Sequence, residues 1–244
     1  MEPWFKEWFE SPDYLTVYSH RDDEDAGKLT ELILRNIKLS PNSKALDAGC
    51  GAGRYILKFT NAGFKTFGFD LSSTLLHKAK DALLEKGIPV NIFRSDIRNV
   101  SVKKEFHLVL NLFTSFGYFD SDEENFSFIK DAKEFLLPDG YYVFDYFNKN
   151  YLVNNLIPAS SRETGAYSIK ETRSIINERV VKQIEISSNG QVNKFEESVR
   201  IYDPSTIIRN FITNGYTLDK LFGNYDGDDF NELNSERFIA IFKA

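Results

Sequence analysis

Apolar residues along this chain change their spacing twice, and those changes mark out three kinds of structure. From Ala26 to Leu39, Leu29, Leu32, Ile33 and Ile37 recur at helical intervals and predict an amphipathic helix stopped by Ser40 and Pro41. Short, nearly continuous apolar runs then alternate with helical stripes. Ala45 and Leu46, Phe64 to Phe69, Val90 to Phe93, Phe106 to Leu110 and Tyr141 to Phe147 read as buried strands. Between them, Ile56, Leu57 and Phe59 form one helical stripe, and Leu75, Leu76, Ala79 and Leu83 form another, which Ser72 can cap. A third stripe opens at Ser121 or Asp122, runs through Phe126, Ile129 and Leu136, and ends at Pro138 and Gly140. Strands of this kind separated by helices imply a parallel α/β sheet covered on both faces.

Between Gly165 and Tyr202 the period falls to two. Tyr167 to Arg173, Val180 to Ile186 and Phe195 to Ile201 predict three antiparallel strands, the last two joined at Asn189-Gly190. One face of this insertion is expected to be apolar, with Lys, Glu and Arg pointing outward, so it either covers a pocket or forms a subunit contact. Pro204 then opens a helix carrying Ile207, Ile208, Phe211 and Ile212; Gly215 ends it, and TLDKLFGNY and RFIAIFKA remain as two strands. At the other end, Trp4 and Trp8, and Phe5 and Phe9, stand four apart and share one side of a helix. The predicted organisation is a helical lid segment over residues 1–40, a main domain over 41–150 with 203–244, and a β insertion over 151–202.

Composition narrows the classes of partner. The chain has 244 residues, enough to bury a substantial core, and its 30 basic against 36 acidic side chains leave a formal charge of −6. A phosphate backbone calls for a concentrated basic face, so nucleic acid is not the expected partner. One cysteine, Cys50, forms no internal disulfide, and no run reaches the ~18 apolar residues of a membrane span. With no signal-like start, the expectation is a cytoplasmic protein without a membrane partner, monomeric or homodimeric. No cluster has metal-ligand spacing, and the acidic stretch from Asn224 to Ser235 lacks the order of a calcium loop, so no metal is expected.

The chemistry concentrates in ALDAGCGAGRY, residues 45–55. A strand runs into Gly49, Gly51 and Gly53 and then into a helix, a turn that lets a ligand approach backbone and helix N–H groups. The spacing G-x-G-x-G differs from the G-x-G-x-x-G of dinucleotide sites and favours S-adenosylmethionine. Two carboxylates follow in order: Asp70 ends the second strand, placed to accept both ribose hydroxyls, and Asp96 follows the third, placed to accept from an adenine amino group. Leu71 and Ile97, just beyond them, can sandwich the base. Cys50 reads as a small residue beside the ligand and not as a nucleophile.

On these residues the chain resembles the class I S-adenosylmethionine-dependent methyltransferases, in which the glycine loop and the two acidic positions correspond to Asp47 to Gly53, Asp70 and Asp96. Within that class it is similar to bacterial and archaeal small-molecule methyltransferases, through WFKEWF, through NLFTSFGYF at Asn111 to Phe119, and through the final strand pair. The resemblance implies a Rossmann-like, doubly wound seven-stranded sheet, mostly parallel, closed by an antiparallel C-terminal pair. It also implies cofactor contacts from Asp47, Ala48, Gly49, Cys50, Gly51 and Gly53, from Asp70, Leu71 and Ser72, and from Asp96, Ile97, Asn111 and Leu112. Tyr18 and Arg21 are expected to close over the methionine end, Arg21 pairing with its carboxylate.

The expected activity is methyl transfer to a nitrogen or oxygen of a small-molecule acceptor, with S-adenosylhomocysteine as product. Orientation supplies most of the acceleration, and a base is optional. His20 and Tyr18 are the candidates for proton removal, and Phe113, Phe116, Tyr118 and Tyr146 for acceptor contacts. Two rivals use a similar sheet: a nicotinamide-dependent oxidoreductase, and an S-adenosylmethionine-binding regulator that transfers nothing.

Overall fold

The computed structural model describes residues 3–18 and 23–244. Five strands run parallel: β1 (Lys44–Ala48), β2 (Lys65–Asp70), β3 (Ile92–Arg94), β4 (Phe106–Asn111) and β5 (Leu136–Phe147). Two more, numbered β10 (Thr217–Phe222) and β11 (Arg237–Lys243) in chain order, pair antiparallel to each other and, through β11, to β5. The order across the sheet is β10-β11-β5-β4-β1-β2-β3, the doubly wound arrangement that the resemblance implies.

Alternate side chains of each strand leave the sheet on opposite faces, and each face has its own helices. Leu46, Val109, Tyr142, Phe144 and Phe238 pack with Phe128 and Ile129 of α6 (Asp122–Phe135) and with Ile207 and Phe211 of α8 (Pro204–Thr213). Ala45, Leu108, Leu110, Val143 and Ile239 pack with Leu29, Leu32 and Ile33 of α3 (Asp23–Asn36) and with Tyr55 and Phe59 of α4 (Arg54–Asn61). Burial of apolar area on both faces drives this layering. The remaining crossover helix, α5 (Ser73–Glu85), follows β2. Ser72 caps it by accepting from the Leu75 N–H at 3.1 Å, as expected.

Three expectations need correction. The helix through Phe126 and Ile129 ends at Phe135, because Leu136 is already extended and pairs with Phe106. A short helix, α7 (Lys149–Asn155), follows β5; it buries no residue, so it left no apolar stripe to read. The insertion holds four strands where three were expected: β6 (Ala159–Thr164), β7 (Tyr167–Ile176), β8 (Arg179–Ser188) and β9 (Gln191–Arg200), in sequential order. The unpredicted β6 reads ASSRET, an edge strand with no apolar alternation. The turn at Asn189-Gly190 is present with φ of 50° and 78°, and Asn177-Glu178 makes a second turn of that kind at 49° and 58°.

The N-terminal helices α1 (Trp4–Glu10) and α2 (Asp13–Val17) bridge the two sheets. Trp8 and Val17 pack on Ile169, Ile184 and Ile186 of the insertion. In the same last turn of α1, Glu10 accepts from the N–H groups of Ser73 and Thr74 at 2.8 and 3.0 Å, and Ser72 Oγ donates to the Phe9 carbonyl at 2.6 Å. Burial raises the Glu10 pKa, but those donors outweigh it and hold the carboxyl at about 2.

Candidate functional site

The direction of the strand connections reverses between β1 and β4, and in a doubly wound sheet ligands bind outside the strand ends at that point. There the protein encloses a cavity of about 500 Å³. Its floor is the glycine turn. The N–H groups of Gly49 and Cys50 both donate to the Phe69 carbonyl at 2.9 Å, folding the turn back onto β2. Gly49 has a φ of 75°, and a Cβ there would stand 3.0 Å from Ser115, so only glycine lets the turn and the loop after β4 approach this closely.

Asp70 joins these pieces. One carboxylate oxygen accepts from the Gly51 N–H and the other from the Ser72 N–H, each at 2.8 Å. Its carboxyl is pushed up by burial. Asp96 lines the same cavity, and its carboxylate caps a short 3-10 turn (Ile97–Asn99) while pairing with Arg98, whose guanidinium holds it below the ordinary aspartate range. Leu71 and Ile97 line the cavity beside the two acids.

Asp47 also lines the cavity and is only 2% exposed, and its Oδ2 has no hydrogen-bond partner among the described residues. Burial, reinforced by the charge of Asp70, pushes its pKa up to about 8. A buried orphan oxygen of this kind is costly unless a ligand supplies a donor. Cys50, also in the wall, is buried and its thiol is pushed well up by that burial.

Not every expected contact stands in the wall. Gly49, Cys50, Gly51, Asp47, Asn111 and Leu112 do. Ala48, Gly53 and Ser72 lie behind it: Ala48 lends its carbonyl to the Asn111 side chain at 3.4 Å, Gly53 at φ 82° packs α4 against Ala79, and Ser72 caps α5. Of the acceptor candidates, Phe113, Phe116 and Tyr118 line the cavity, with Phe119. Tyr146 does not; it is fully buried in the sheet core and its hydroxyl donates to the Arg200 carbonyl, because its position in β5 faces α8. His20 and Arg21 lie outside the described residues.

The remaining walls come from the two ends of the bridge. Trp4, Phe5, Phe9, Tyr14 and Tyr18 face the cavity from the N-terminal segment, and Arg173, Val180, Lys182, Glu197 and Val199 from the insertion. Lys170, Lys194 and Glu196 are exposed as expected, but three other charged residues of the insertion do not point outward: β7, β8 and β9 set Arg173, Lys182 and Glu197 side by side in register on the face turned to the cavity. Glu197 accepts from the Trp8 Nε1 at 2.7 Å and from the Tyr18 hydroxyl, and pairs with Lys182 at 2.7 Å. Burial opposes its ionisation, but Lys182 and these donors keep its pKa low.

Sequence reasoning also missed a buried pair beneath the loop after β4. Asp145 accepts from the Arg237 guanidinium at 2.7 and 2.9 Å, from the Phe113 N–H at 2.9 Å and from the Tyr225 hydroxyl at 3.2 Å. Phe113 and Thr114 both adopt left-handed backbone, with φ of 59° and 64°, which side chains bearing a Cβ rarely take. An aspartate inside an otherwise apolar strand was the available signal. Among the described residues, no group of three or more His, Cys, Asp or Glu side chains is placed to hold a metal ion.

Residues 45–140 match the family described as "Methyltransferase domain". A curated relative, the dTDP-3-amino-3,4,6-trideoxy-alpha-D-glucopyranose N,N-dimethyltransferase of Streptomyces venezuelae, is 30% identical over 98 residues, covering 40% of each chain. The ubiquinone biosynthesis O-methyltransferase of Nitrosospira multiformis is 28% identical over 105 residues, 43% of each chain. The matched stretch thus spans less than half the length of these curated relatives. In structure, a S-adenosylmethionine-dependent methyltransferase from Clostridium acetobutylicum superposes with a TM-score of 0.82 at 18% identity, over 95% of this chain and 97% of the other. Residues 45–140 thus match a methyltransferase domain, and the described chain has the fold of a solved S-adenosylmethionine-dependent methyltransferase.

Proposed function

We propose that this protein transfers the methyl group of S-adenosylmethionine to a nitrogen or oxygen of a small-molecule acceptor, releasing S-adenosylhomocysteine. One observation carries the reading: Asp70 and Asp96, from successive crossovers, line a single cavity whose floor is the glycine turn. The donor set fits. Gly49 and Gly51 give backbone access, Asp70 and Asp96 offer acceptors for the nucleoside, and the orphan Oδ2 of Asp47 suits a cationic group.

When bound, S-adenosylmethionine supplies an electrophilic methyl group on a positively charged sulfur leaving group. The chain's own part is orientation and exclusion of water. Phe113, Phe116, Tyr118, Trp4, Phe5 and Phe9 form an apolar sleeve that holds an acceptor and keeps solvent out, so proximity supplies most of the acceleration. We assign the N-terminal segment as a lid and the insertion as the cover of the acceptor side, in preference to a subunit contact. Tyr18, whose hydroxyl donates to Glu197 at that wall, is the described candidate for relaying a proton, taking it from the acceptor as its own passes to the Glu197 carboxylate; His20 is the other candidate base. No nucleic-acid or membrane partner enters this reading, and a cytoplasmic monomer or homodimer goes with it. No helix of the described residues is long and apolar enough to cross a membrane.

Titration calorimetry with S-adenosylmethionine or S-adenosylhomocysteine tests the proposal. Binding at micromolar concentration is expected; absence of heat for both ends it. Enhancement of NADH fluorescence by the protein supports the nicotinamide reading instead.

A further inference from the structure

On the methyltransferase reading above, we propose that the methyl acceptor is an amino or hydroxy acid with an apolar body, and that Arg173 and Lys182 of the insertion receive its carboxylate. The selecting groups then stand on the insertion, not on the glycine-turn floor.

Arg173 of β7 and Lys182 of β8 stand directly opposite each other, and both line the cavity. Like charges in that relation repel, so the pair needs negative charge nearby. Two carboxylates supply part of it. Glu171 pairs with Arg173, with Arg162 at 3.3 Å and more distantly with Lys182 at 3.9 Å, while Glu197 pairs with Lys182 at 2.7 Å. Burial opposes the ionisation of Glu171, but Lys182, Arg173 and Arg162 together keep its pKa low. Among the described residues, the cluster thus sets three cations against two carboxylates and keeps one positive charge unbalanced. The Lys182 side chain is only 12% exposed, so solvent does little to screen that excess.

Arg173 also has donors to offer. A guanidinium carries five N–H groups; this one gives one to Ser160 Oγ at 3.0 Å and one to Glu171, and among the described residues its Nε–H meets no acceptor. A carboxylate can take two parallel N–H donors from a guanidinium and a further one from a neighbouring ammonium. One excess positive charge matches a carboxylate better than a phosphate, which carries up to roughly two negative charges. The flanking positions are apolar. Val180 and Val199 stand two residues from Lys182 and Glu197 along their strands and so share that face, and Phe147, Leu152 and Leu156 line the same cavity. A molecule with an apolar body and an acidic end suits both surfaces, and its amine or hydroxyl is the group that the proposed transfer methylates.

Calorimetry on the full chain saturated with S-adenosylhomocysteine decides the matter, with benzoate, its neutral counterpart benzamide, and phenyl phosphate as probes. The unaltered protein should prefer benzoate to benzamide by at least ~10-fold. Arg173→Met should lose most of that preference while binding benzamide as before, Lys182→Met should reduce it too, and Arg173→Lys should retain part of it. The proposal is overturned if benzamide binds as well as benzoate, if neither binds, or if both methionine variants keep the preference or weaken the two probes alike, as a merely structural role would. Tighter binding of phenyl phosphate than of benzoate overturns the carboxylate in favour of a phosphorylated acceptor. Failure of the unaltered protein to bind S-adenosylhomocysteine sinks the methyltransferase reading itself, a result distinct from these. Thermal melts of each variant show whether a lost affinity reflects a lost fold.

Discussion

The carboxylate of Asp70 accepts a 2.8 Å hydrogen bond from the Gly51 N–H, so the acid that closes β2 is tied to the glycine turn that closes β1. Any ligand held by one is positioned by the other. Asp70→Ala should weaken S-adenosylhomocysteine binding by roughly 100-fold, since two hydrogen bonds to a charged acceptor are lost. It should also cost about 1–3 kcal/mol of stability, because the Gly51 and Ser72 N–H groups lose their acceptor. Calorimetry and denaturant melts read the two effects separately.

Asp47 gives a dependence on pH. Its folded pKa of about 8 lies far above the ordinary 3.8, so the ligand-free protein holds a proton there that the unfolded chain gives up. That contribution to stability is complete below about pH 4 and is lost as the pH rises through 8. Asp47→Asn should flatten this slope in melts from pH 5 to 9. Pairing with a cationic ligand favours the ionised form, so binding at pH 7 should release up to about one proton, measured as a dependence of the heat on buffer ionisation.

The Asp145–Arg237 pair is buried, and removing one member strands the other. Asp145→Ala should cost about 3–5 kcal/mol. Replacing both residues with apolar side chains should recover much of that loss in chemical denaturation. The double variant should still bind S-adenosylhomocysteine less tightly, because the Phe113 N–H has lost its anchor.

Glu197, paired with Lys182 of β8, fastens the N-terminal segment through Trp8 and Tyr18. Glu197→Ala should therefore speed hydrogen exchange and proteolysis around residues 4–18, with little change at β1 or β4. An unchanged exchange pattern in α1 would show that its apolar contacts alone hold it.

Tyr146 provides a control. Its hydroxyl meets the Arg200 carbonyl inside the core. Tyr146→Phe should cost about 1 kcal/mol of stability and leave ligand affinity untouched.

The main sheet was legible because burial on both faces leaves apolar runs, as in Leu108 to Leu110 and Tyr141 to Phe144, whose helices carry clear stripes and caps such as Ser72 and Ser121. The glycine turn, Asp70 and Asp96 could be placed on one cavity from sequence because glycine spacing and an acid at a strand end are local signals. What was missed depends on contacts distant in sequence. Tyr146 on β5 and the cavity-lining Phe116 in the loop after β4 are both buried aromatics with ring centroids 5.6 Å apart, so residue type alone does not separate a core ring from a wall. Glu197 meets Trp8 across 189 positions and Asp145 meets Arg237 across 92, pairings that no local spacing encodes. The polar edge strand Ala159–Thr164 forms because β7 offers it backbone partners, not because its own side chains demand it.

The cavity's two halves are written in different parts of the gene product. Its floor falls inside the matched stretch 45–140, whereas Trp4, Phe9, Lys182, Glu197 and Val199 fall outside it. On the function proposed above, exchanging the β6–β9 segment and the opening helices between relatives would change the acceptor wall while leaving the glycine-turn floor in place.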